Sequence, residues 1–98
     1  MSFHDFIRSD RRLVILRILK EMPACRSNSS VIDGMLDRFG HNVSRDVVCG
    51  DLRWLAEQGL IDIDEAGPVL VATLTGRGLD VATGQSVVDG VSKPRPAG

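Results

Sequence analysis

The stretch Ser44-Arg45-Asp46-Val47-Val48-Cys49-Gly50-Asp51-Leu52-Arg53 gathers two arginines, two acids, a thiol and a hydroxyl within ten residues. Read as a helix, it turns Val48, Leu52 and Leu55 to one apolar face, with Val47 and Trp54 at the flank. Arg45, Asp46, Cys49, Gly50, Arg53 and Glu57 then point outward. An arginine on such a face can bond guanine O6 and N7 with two parallel N–H groups, and an aspartate can accept from cytosine N4. Ser44 and Asn42 stand at the start of the helix, where free backbone N–H groups suit phosphate oxygens. The same residues also suit a plain solvated face. Arg45 and Arg53 stand against Asp46, Asp51 and Glu57, a net charge of −1 that draws duplex DNA poorly.

Other chemistries find little support. The chain has no Ser/His/acid set, no glycine loop for phosphate and no paired carboxylates in a cleft, so no catalysis and no cofactor are expected. His4 and His41 read as surface or capping residues. Cys25 and Cys49 are too few for a disulfide framework or a zinc cage, which points to free thiols, no metal and a reducing cytoplasm. The overall charge of −1 argues mildly against tight non-specific DNA binding. No apolar run reaches about 18 residues, and Met1-Ser2-Phe3-His4-Asp5 lacks a basic region leading into an apolar one. Neither a membrane span nor a secretory signal is expected.

The elements that must position these residues follow from spacing. The first helix is expected from about Phe3 to Met22, apolar on several faces through Leu13, Val14, Ile15, Leu16, Ile18 and Leu19, and stopped by Pro23. It starts either at a Ser9-Asp10 cap or earlier, with Phe3, Phe6 and Ile7 as its first apolar turn. Arg8, Arg11, Arg12, Arg17 and Lys20 fill the rest of its surface, as solvation or as phosphate contacts. A polar stretch over 26–30 leads to a second helix capped by Ser29 or Ser30, with Val31, Ile32, Met35, Leu36 and Phe39 at helical spacing and Gly40 after it. A short turn containing Val43 joins it to the third helix, capped by Ser44 and closed by Gly59. That is a helix-turn-helix pattern. Residues 60–64 and 69–74 read as two strands across the turn Glu65-Ala66-Gly67-Pro68, followed by a short helix capped by Thr75.

The residues themselves resemble a family. The run over 52–82, with Leu52, Leu55, Gly59, Leu60 and Ile61, then Leu74, Thr75 and Gly78, is similar to the end of the recognition helix, the wing and the closing helix of ArsR-like bacterial regulators. More narrowly, "RLVILRIL", "NSSVI", "GHNVSRDVV" and "LDVATG" resemble small winged-helix proteins of Mu-like prophages, over about residues 10 to 92. ArsR-like metal sensors carry a Cys-x-Cys pair where this chain has Val47-Val48-Cys49, so the single thiol departs from that pattern.

The fold expected is mostly α with a small β-hairpin: a winged helix-turn-helix of three helices, a two-stranded wing and a short C-terminal helix. Residues 1–83 form the domain and 84–98 a flexible tail. The resemblance implies a DNA-binding transcriptional regulator, phage-derived and dimeric, that reads the major groove with the helix over 44–58. Its dimer seams would be the first helix and the residues after Thr75. The alternative is a winged-helix adaptor that binds protein and no DNA, suited by the weakly charged helix and by Asp62, Asp64 and Glu65 in the wing, with Trp54 or Phe3 and Phe6 as anchors.

Overall fold

The computed structural model describes residues 2–95. The helix α1 (Phe3–Glu21) starts at the earlier of the two expected points. Ser2 caps it: the Asp5 N–H donates to the Ser2 hydroxyl at 3.0 Å, and the Asp5 carboxylate accepts back from the Ser2 N–H. That reciprocal pair holds the Asp5 carboxyl below its ordinary value. Because the folded form is the more acidic, the cap is intact above the ordinary carboxylate range and is lost as pH falls through the folded value.

After a tight turn at Pro23–Cys25 come β1 (Arg26–Asn28), α2 (Ser29–Arg38), α3 (Arg45–Glu57), β2 (Ile61–Ala66), β3 (Val69–Leu74) and α4 (Gly76–Ala82). The sheet corrects the expected two-stranded wing. It has three antiparallel strands in the order β1-β3-β2, with Arg26 opposite Thr73 and Asn28 opposite Val71. The segment Arg26-Ser27-Asn28 is short and polar, so its own sequence carries no strand signal; pairing with β3 makes it one. The hairpin is also tighter than expected. Glu65 and Ala66 belong to β2, and Gly67-Pro68 alone make the turn, with Gly67 at φ +60°.

The cap of α2 is Asn28, whose side chain accepts from the Val31 N–H at 2.9 Å. Ser29, expected there, is instead fully buried and takes a bond from the Leu70 N–H at 3.1 Å, fastening α2 to the sheet. Ser44 and Thr75 cap α3 and α4 as expected, and Gly40 and Gly59 take positive φ just past α2 and α3.

One core joins these elements. Ile15, Leu16 and Leu19 of α1 meet Ile32 and Leu36 of α2, Val48, Leu52 and Leu55 of α3, Ile61 of β2 and Ala72 of β3. Val43 in the turn between α2 and α3 packs against it. The stretch expected to be a free tail packs too: Val91 is buried, Val88 is half-buried, and the Ser92 N–H donates to the Ser9 carbonyl. Val88, Val91 and the Ser92–Ser9 bond hold this strap against α1, correcting the free tail expected from residue 84 for the residues described. Pro96, Ala97 and Gly98, also read as tail, lie outside the described residues.

A dense junction closes the end of α3. The Leu60 N–H bonds to the Leu55 carbonyl, the Thr75 N–H to the Leu60 carbonyl, and the Thr75 hydroxyl to the Gly59 carbonyl at 2.7 Å. Gly78 sits directly on this crossing: a Cβ there would lie 2.0 Å from the Leu60 carbonyl oxygen. Gly78→Ala is therefore expected to cost about 3 kcal/mol. Gly50, where a Cβ meets nothing within 4 Å, is the control: Gly50→Ala should gain roughly 0.5–1 kcal/mol. Urea unfolding of both variants checks the pair.

Candidate nucleic-acid interface

Helix α3 meets the body of the protein through a buried ion cluster. Asp51 lies on the core-side flank of α3 and is 4% exposed. One of its carboxylate oxygens accepts from Arg11 Nε, and the other accepts from Arg12 Nε at 3.2 Å. Arg12 continues outward: its Nη1 donates to the Gly90 carbonyl at 3.3 Å, and its guanidinium stacks on Trp54, 3.8 Å from the ring centroid. Burial pushes the Arg12 guanidinium below its ordinary pKa, and the bond to Asp51 opposes that shift. A Cβ added to Gly90 would come within 2.8 Å of the Trp54 ring, so the strap lies flush on it. The cluster thus ties α1, α3 and the C-terminal strap at one point.

This corrects the charge reading of α3. Asp51 is not part of its solvated face, which keeps Arg45 and Arg53 against Asp46 and Glu57 and is neutral. Arg11 and Arg12 are likewise withdrawn from any phosphate contact. Trp54 is half-buried beneath Arg12 and makes a poor anchor for a partner. Helical spacing held a signal for this. Asp51 lies three residues after Val48 and four before Leu55, and an acid so placed needs a buried cation.

The remaining candidates sit as follows. Ser44 is exposed, but its hydroxyl accepts from the Val47 N–H at 3.3 Å and so serves the cap. Asn42 is exposed in the turn before it. Arg45, Asp46, Gly50 and Arg53 are exposed on α3, and Arg45 has no ion-pair partner among the described residues. Cys49 is half-buried and packs against the core at the edge of that face. Arg53 reaches the wing, donating to Glu65 at 3.2 Å. Both thiols are free, and among the described residues no three of His, Cys, Asp and Glu gather as metal ligands. His41, expected at the surface, is buried: its Nε2 bonds Asp10 Oδ2 at 2.8 Å, fixing the turn after α2 to α1. No helix among the described residues is long and apolar enough to cross a membrane.

No protein-family model matches the chain. A protein of Escherichia phage Mu, uncharacterized protein gp26, is 50% identical over 93 residues, which is 95% of this chain and 96% of the phage protein. An uncharacterized protein of Haemophilus influenzae is 44% identical over 84 residues, 85% of this chain and 81% of its own. Among solved structures, RosR of H. salinarum matches with a TM-score of 0.63 at 22% identity, covering 74% of this chain and 64% of that one. The hsRosR-S1 complex matches with a TM-score of 0.61 at 22% identity, covering 72% and 62%. This chain spans less than two thirds of those two RosR chains, and the likeness is one of fold.

The ion cluster and the surface pair differ in what they hold. Asp51→Ala strands two buried guanidinium groups and is expected to cost about 3–5 kcal/mol. Arg53→Ala, at an exposed pair, should cost under about 1 kcal/mol. Unfolding midpoints in urea measure both.

Proposed function

The chain belongs to the family of the phage Mu protein gp26, and from that premise we propose that it is a winged-helix DNA-binding regulator that reads the major groove with α3. One observation carries this reading. The outward face of α3, from Arg45 through Asp46 and Gly50 to Arg53, is exposed on a helix that a capped turn and a buried ion cluster hold rigidly outward. In this role Arg45 and Arg53 bond base edges, Asp46 accepts from cytosine, Cys49 borders the face, and Asn42 and the N–H groups behind Ser44 meet phosphate. The ArsR-like run over 52–82 and the fold shared with RosR support the reading.

The protein acts in the cytoplasm as a homodimer, without catalysis, metal or cofactor. Phe3, Phe6 and Val87 are exposed apolar residues on α1 and the strap, and they supply the dimer seam. A two-fold pair of α3 helices about 34 Å apart fits half-sites one helical turn apart.

A second reading, the protein-binding adaptor without DNA, draws on one observation. Val14, Ile18, Met22, Met35 and Phe39 line an apolar groove between α1 and α2, with Phe39 60% exposed at its edge.

Selection from a random duplex pool, followed by titration, separates the two. The regulator reading expects a preferred sequence whose affinity falls steeply as salt rises. Arg45→Ala with Arg53→Ala should erase the preference while the circular dichroism stays unchanged. Absence of binding at about 50 mM salt overturns it and leaves the adaptor reading.

A further inference from the structure

A groove of about 320 Å³ opens between α1 and α2, and no residue of α3 or the wing lines it. Its walls are apolar. Val14, Ile18 and Met22 recur at every fourth position along α1 and its cap, and Met35 and Phe39 complete the walls from α2. The volume falls within the range of small-ligand sites, which begins at about 300 Å³. Unbranched methionine side chains adapt to the shape of what enters. From Val14 to Met22 the helical rise is about 12 Å, a span on the scale of an extended medium-chain acid. A stable protein interface buries roughly 800 Å² on each side, far more than walls of this extent offer.

The charged residues around the groove have unequal tasks. Lys20 lies 3.8 Å from Glu21, and both line the groove. Lys20 and Arg38 also stand in the last turns of α1 and α2, where a cation offsets the helix end. Asp33 and Asp37 are two residues from Met35 in either direction, so a rotation of about 200° carries them to the far side of α2. Arg17 has none of these tasks. It lines the groove, is exposed, and has no ion-pair partner among the described residues. Its aliphatic stem suits the apolar wall while its guanidinium stays in water at the mouth. A neutral ligand leaves that charge unused, and a cationic one is repelled by it. A carboxylate meets it with two parallel N–H bonds.

We propose that this groove is a binding site for a small carboxylic acid with an unbranched apolar chain, the chain lying on Val14, Ile18, Met22, Met35 and Phe39 and the carboxylate on Arg17. Neither reading of function above is needed for it.

Octanoate is the probe, with octanol as its uncharged counterpart. Met22 and Met35 line the groove, and the chain has only three methionines, so NMR of the intact protein isotope-labelled at the methionine methyl groups reads the site directly. The Met22 and Met35 signals should shift together and saturably as octanoate is added. Arg17→Gln should weaken octanoate roughly fivefold and leave octanol within about 1.5-fold. Phe39→Ala, at an exposed position, should weaken both ligands alike, by roughly fivefold. Val14→Phe fills the groove and should abolish the saturable shift of either ligand while the circular dichroism holds. Shifts that rise without saturating, or that are unchanged in Phe39→Ala, show adventitious partition onto apolar surface and overturn the site. Equal weakening of the two ligands by Arg17→Gln, or none, overturns the preference for an acid and the proposal with it. Absence of any shift up to the solubility limit of octanoate overturns it outright.

Discussion

Burying a carboxylate costs several kcal/mol unless cations go in with it and meet its lone pairs. Asp51 is that carboxylate here, and the demand for compensation shapes its surroundings. It draws Arg11 and Arg12 out of water, which fixes the rotation of α1 about its own axis against α3. Arg12 is long enough to do more, and its remaining donors and its flat face hold Gly90 and Trp54. The strap after α4 therefore lies where the arginine needs an acceptor. A helix intended to face outward must be braced from behind, and this cluster supplies the brace without using any residue of the exposed face.

The junction at the other end of α3 works by close approach. Leu55, Gly59, Leu60, Thr75 and Gly78 are the residues through which the sequence resembles ArsR-like regulators, and each has a structural task there. Thr75 both caps α4 and donates to the Gly59 carbonyl, while Gly78 lets α4 cross the Leu60 peptide. The resemblance is thus carried by the way a helix, a hairpin and a second helix are joined. That is why it is informative about fold and says less about what the outward face of α3 contacts.

Much of this was legible from spacing. Capped starts at Ser44 and Thr75, glycines at 40 and 59, and the apolar sets of α2 and α3 each follow from local rules that the tertiary structure leaves in place. The rest was set by distant partners. β1 is a strand because β3 offers it an edge, and Ser29 is buried because Leu70 needs an acceptor. Arg11, Arg12 and His41 look like surface residues until their partners some thirty to forty positions away are known. For the candidate interface, the residue types and their order were readable. The neutral balance of the face was not, because one of its acids belongs to the core.

The sheet leaves two edges open, and they are unequal. β1 runs for three residues, too few to template a neighbour, whereas β2 runs for six. Any other chain that zipped along β2 would meet a row of unpaired peptide groups bordered by Asp62, Asp64 and Glu65. A second copy docking in this way would bring the same three acids against them, and like charges facing each other across a ladder are unfavourable. The wing therefore guards itself against edge-to-edge aggregation.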